Sequence, residues 1–228
     1  MKDMAIWDLA FRPFFLFGSL FAVLAMVLWG LFLNGEILIE PYGDIRFWHI
    51  HEMLFGFVGA IIIGFLLTAV QTWTGIRSAH GYSLITLFSL WLISRIAMAG
   101  LIKIPGEWIA LLDVGTYVFA AVLFGRLLFL TGNMRNMILV FVLIMFALTN
   151  LFTHASRLYS IPYLFNWGIH SAVMLITVLM MVIGGRVIPL FTGNALKIKM
   201  PPPVKKLEIA TIALSLIHIS EPTRPYWI

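Results

Sequence analysis

The sequence predicts an all-α protein, a polytopic transmembrane helix bundle with six complete helices and the start of a seventh. Hydrophobic residues make up 61% of the chain and charged residues 11%, more apolar surface than a soluble domain could bury. The mean hydropathy of +1.00 points the same way. Apolar runs of about 20 residues, the length that crosses a hydrocarbon core, recur along the chain with short polar segments between them.

The first run, about 14–33, follows Arg12 and Pro13, and proline is well placed in the first turn of a helix. It is long and lacks a small-residue cleavage site, so it reads as a retained helix and not as a signal peptide. The second run, about 47–70, opens on the stretch RFWHIHEMLFGF. Runs at about 84–102, 108–130 and 136–154 supply the third, fourth and fifth helices. The sixth, about 168–190, ends in GGRVIP, where Gly184 and Gly185 permit close backbone approach. Pro189 there is expected to bend or end the helix. Three prolines in MPPPVKK cannot continue a helix, and a seventh run starts near Leu207.

The domain organisation follows: a transmembrane domain over 1–206, the start of a truncated helix over 207–213, and a tail over 214–228. LSLIHISEPTR, from Leu214 to Arg224, looks like a translated sequencing adapter, so the tail reads as non-native and the bundle as the first half of a longer parent. Cysteine is absent, which removes disulfides, thiolate metal sites and CxxCH haem attachment.

The net charge of +5 reflects orientation, and no nucleic-acid partner is expected. With the N-terminus and the second, fourth and sixth loops on one side, that side carries Lys2, Arg12, Arg77, Arg126, Arg135, Lys197, Lys199, Lys205 and Lys206, with Arg186 close by. The opposite side carries Arg46, Arg95, Lys103 and Arg157. The positive-inside rule makes the N-terminus cytoplasmic. The first loop is then external, which in a bacterial inner membrane means periplasmic.

This topology gathers His49, His51, His154 and His170 at the external ends of the second, fifth and sixth helices. Histidines at a polar interface need no further role, but ionisable groups within membrane helices are rare and usually functional. Imidazoles from three helices at one depth form a ligand set suited to haem iron or copper. Residues two apart on a helix point about 200° apart, so His49 and His51 do not share one metal unless the turn is distorted. Glu52 lies three residues beyond His49 and is expected to orient that imidazole or carry protons. Arg186 and Arg12 offer planar donor forks suited to a haem propionate, or serve as snorkelling anchors.

FRPFF at 11–15, WHIHEMLFGF at 48–57, GFLLTAVQTWTG at 64–75, Asn150 and His154 of NLFTH, and GGRVIPLFTGNAL at 184–196 together resemble the NnrS family. The chain departs from that pattern at Gln71 and Thr72, where Pro-Asn is more usual. The resemblance implies a multi-pass protein of the bacterial inner membrane that binds haem and copper and takes part in the response to nitric oxide and nitrosative stress. It also implies about twelve helices in the parent. Catalysis is left open. A redox enzyme acting on nitric oxide, and a transporter whose histidines bind protons or a small solute, are the alternatives.

Overall fold

The computed structural model describes residues 5–37, 39–198, 207, 210, 211, 213 and 214. After a short turn at Ala5–Trp7, α1 runs Phe11–Leu33 with Pro13 in its first turn. The Phe11 N–H, one of the donors a helix start leaves over, is taken by Thr68 Oγ1 at 2.9 Å. Helix α2, Ile45–His51, begins at Asp44, whose side chain accepts the Phe47 N–H at 2.8 Å, a standard N-cap. It passes without a break through a π turn, Glu52–Val58, into α3, Gly59–Thr74. Gly75 ends α3 at φ 71°, the left-handed cap that glycine adopts freely. Helices α4, Gly81–Met98, α5, Gly106–Leu130, α6, Met137–Leu158, and α7, Pro162–Leu196, complete the sequence of elements.

Six of these spans are long and apolar enough to cross a membrane, so the chain is a multi-pass membrane protein in a lipid bilayer. Its surface agrees. Leu16, Leu20, Val23, Leu24 and Val27 of α1 stand exposed, a profile that suits hydrocarbon and not water. The apolar runs located each span but missed the terminal turns, where residues such as Arg157 and Asn166 are helical yet polar. Helix α7 continues through Pro189 to Leu196 and does not end there; membrane helices tolerate proline because neighbouring groups re-satisfy the freed carbonyl. Residues 207, 210, 211, 213 and 214 are helical, at the expected seventh run. The expected proline linker, and the tail beyond Leu214 with His218, lie outside the described residues.

The chain divides into two compact units, Met1–Ile169 and His170–Ile228. In the first, α5 packs along α6, α4 and α3, while α1 packs along α3 and the π turn. An aromatic cluster lies in its interior: the Trp91 ring is 6.2 Å from Phe14, 5.9 Å from Phe21 and 5.5 Å from Phe88. Small residues let helices approach, as membrane packing requires. A Cβ on Gly168 would lie 2.7 Å from the Thr149 carbonyl and 2.8 Å from Thr153 Cγ2. Gly168→Ala is therefore expected to cost about 1–3 kcal/mol, read as an earlier unfolding midpoint in detergent; an unchanged midpoint would show that the start of α7 is free to shift.

Candidate functional site

Four helical segments deliver polar side chains to one point inside the first unit. The end of α2 and the π turn bring His51 and Glu52, α4 brings Arg95, α5 brings Asp113, and α6 brings Asn150 and His154. None is more than 3% exposed. Asn150 and His154 are four apart on α6 and so share a face. Gly56 makes room for the cluster from the π turn: a Cβ there would lie 2.9 Å from an Arg95 guanidinium nitrogen and 3.0 Å from Glu52 Oε2.

The connections form one continuous network. Arg95 donates to Glu52 Oε1 at 2.6 Å and, through its other terminal nitrogen, to Asp113 Oδ1. Asn150 Nδ2 donates to Asp113 Oδ2 at 3.0 Å. His51 lies between, with Nδ1 at 3.0 Å from Glu52 Oε1 and Nε2 at 2.9 Å from Asn150 Oδ1. His51 Nε2 is also 3.3 Å from Asp113 Oδ2, and His154 Nε2 is 3.2 Å from the same oxygen. Two carboxylates, one guanidinium and two imidazoles meet here out of contact with solvent. Buried charge is stable only when compensated, so the cluster calls for a bound cation or a proton held within it. Glu52 Oε2, Arg95 Nε and His154 Nδ1 are buried without a hydrogen-bond partner among the described residues.

Aromatic rings and a strap of chain cover the cluster. Phe47 stacks on His51 at 5.6 Å, Phe55 lies 4.9 Å from the same ring, and Tyr42 lies 5.6 Å from His154. The strap before α2 is tied at both ends. The Tyr42 N–H donates to the Met98 carbonyl at 2.9 Å, and Asp44 pairs with Arg157, whose guanidinium carbon also sits 4.9 Å over the Phe47 ring. Burial pushes the Tyr42 phenol up to about 12 against the opposite pull of Arg157. Tyr42 therefore stays a neutral hydroxyl at ordinary pH.

The structure brings His51 and His154 together, with ring centroids 5.1 Å apart. It does not bring His49 to them. That ring points elsewhere, stacked on Trp29 at 4.3 Å, as the angle between residues two apart requires. Glu52 was expected behind His49 and instead bonds His51 and Arg95, because the chain leaves α geometry at Glu52 itself. Arg12 lies at the start of α1, exposed, 3.8 Å from Asp8 and donating to the Ala5 carbonyl. That end of α1 meets Thr68, seventeen residues beyond His51 and so roughly 25 Å along the helix. His170 and Arg186 lie on α7 within the second unit.

Arg95 and Asp113 were not singled out in the sequence. Arg95 is not an external charge, as the loop count had it, but a buried one in α4. Each is a lone ionisable residue inside an apolar run, in WLISRIAMA and ALLDVGTYV, which is the signal that finds such groups.

One imidazole nitrogen from each of His51 and His154 and one Asp113 oxygen all lie within 4.8 Å of one another. Two imidazoles and a carboxylate suit a single borderline ion such as copper, zinc or iron. Glu52 on the far nitrogen of His51 is the usual device for orienting a ligating histidine. The same geometry does not fit a porphyrin. Imidazole meets haem iron through a ring nitrogen, and here both Nε2 atoms face the one Asp113 oxygen while His51 Nδ1 faces Glu52, with Phe47, Phe55 and Tyr42 packed around the rings. The family model described as NnrS protein matches residues 5–223. No curated protein and no solved structure matches the chain.

Proposed function

The chain belongs to the NnrS family, and from that premise we propose that it is an integral membrane metal-binding protein of the nitric oxide response, holding copper at His51, Asp113 and His154. The observation that supports this most is the buried two-histidine, one-carboxylate set, with one ligand atom from each residue inside 4.8 Å of the others. Copper there would supply a redox-active centre of the kind that takes nitric oxide. The chain's own part is to present the two imidazoles in fixed orientation, to exclude water with Tyr42, Phe47 and Phe55, and to hold Asp113 in place through Arg95 and Asn150. A haem is assigned to no residue of this cluster. Placement in the bacterial inner membrane with a cytoplasmic N-terminus is part of the same reading.

Copper titration of the purified protein in detergent, followed by electron paramagnetic resonance, tests the assignment. His51→Ala and His154→Ala are each expected to weaken binding by more than the roughly 10–100-fold that loss of an outer partner costs, while His49→Ala leaves it unchanged. Equal copper uptake by all four proteins would sink the ligand set. The hydrogen-bonded run from Glu52 to His154 would then make proton-coupled transport the reading to pursue.

A further inference from the structure

The π turn between α2 and α3 decides which residue of WHIHE faces the cluster. A π turn takes up about one residue more than an α turn, and one residue corresponds to about 100° of helix rotation. The azimuth of α3 is set by its buried face, with Ala60, Ile63 and Leu67 packed inside the unit. If the same segment closed as plain α-helix, residues 45–51 would turn by about 100° about the axis. Glu52 would then take the inward position and His51 would leave Asp113.

Two side chains from other helices hold this turn open. The Gly59 N–H reaches back to the Leu54 carbonyl, so the Phe55 carbonyl loses its ordinary α-helical partner. The Tyr117 hydroxyl on α5 donates to it. Trp91 on α4 donates its indole N–H to the next carbonyl, Gly56, at 2.9 Å. Both rings are buried, at 0% and 1% exposure, and a buried carbonyl without a donor is costly. Gly59 completes the arrangement, since a Cβ there would collide with the Tyr117 hydroxyl.

We propose that Tyr117 and Trp91 are positioning residues of the metal centre, acting through the backbone carbonyls of the π turn to keep His51 aimed at Asp113 and His154. This rests on the reading of those three residues as metal ligands. Neither side chain is offered as a ligand.

The test uses the full chain, purified in detergent with ¹⁵N-labelled histidine, as wild type, Tyr117→Phe, Trp91→Phe and the exposed control Tyr163→Phe. Each is measured first without metal, by the ring-nitrogen resonances of His51, and then by Cu(II) titration. Tyr117→Phe and Trp91→Phe keep an aromatic ring and remove the donor. They are expected to shift the His51 resonances and weaken Cu(II) binding by about 10–100-fold, with Tyr163→Phe like wild type. Wild-type His51 resonances in both variants would overturn the positioning role whatever the copper result. Shifted resonances in a protein that binds no Cu(II) even as wild type would overturn the metal reading alone. Should Tyr117→Phe fail to fold, Trp91→Phe carries the same two readouts.

Discussion

Arg95→Met is expected to destabilise the first unit by about 3–5 kcal/mol, the range seen when one partner of a buried ion pair is removed. Arg95 is the cation shared by Glu52 and Asp113. Methionine fills much of the same volume, so the loss reports charge and not a cavity. Without the guanidinium, two carboxylates remain inside the bundle, and the network that holds His51 between Glu52 and Asn150 loses its anchor on α4. Detergent unfolding followed by circular dichroism measures the effect, since the chain has no cysteine for a thiol probe. Glu52→Gln in the same background should recover part of the loss by removing one of the stranded charges. A loss under about 1 kcal/mol, the scale of an exposed pair, would mean that water reaches the cluster.

Gly59→Ala is expected to cost about 2–6 kcal/mol, although it adds one methyl group and improves helix propensity. The added Cβ takes the space of the Tyr117 hydroxyl. Overpacking of that kind costs about 1–3 kcal/mol, and a Phe55 carbonyl left without its donor adds about 1–3 kcal/mol. Gly115 on α5 is the control: its Cβ would meet nothing within 4 Å, so Gly115→Ala should be neutral or stabilising by up to about 1 kcal/mol. Tyr117→Phe added to Gly59→Ala should return the overpacking part of the cost and leave the orphaned carbonyl. Equal unfolding midpoints for Gly59→Ala and Gly115→Ala would show that the π turn gives way without resistance.

The fold was legible because the bilayer imposes a length on apolar runs, and every span was located from that length alone. Ends were legible only to within a few residues. Polar residues such as Arg157 finish helices that an apolar window has already closed, and α7 runs past Pro189 because a membrane helix is not obliged to stop at proline. The site was half legible. His51, His154 and Glu52 stood out as ionisable residues at helix ends, whereas Arg95 was read as a terminal charge and Asp113 passed unnoticed inside α5. Their meeting depends on how four helices pack, which one sequence does not state. The pairing of Glu52 with His51 was illegible for a different reason. Regular α periodicity puts Glu52 over His49, and nothing in the residue pattern announces that the helix widens at Glu52. Only Gly56 and Gly59, spaced three apart, hint at the two side chains that must come close.

The strap carrying Tyr42 and Asp44 bears on time as well as on strength. It is fastened to the end of α4 through Met98 and to the end of α6 through Arg157, and its rings close the cluster from that side. An ion or small molecule passing on that side waits for both fastenings to open, on the way in and on the way out. Exchange by that route is then governed by how often the strap lifts, so a ligand held only moderately well at equilibrium would leave slowly along it. Loosening the Asp44–Arg157 fastening would speed entry and exit together and leave their ratio nearly unchanged.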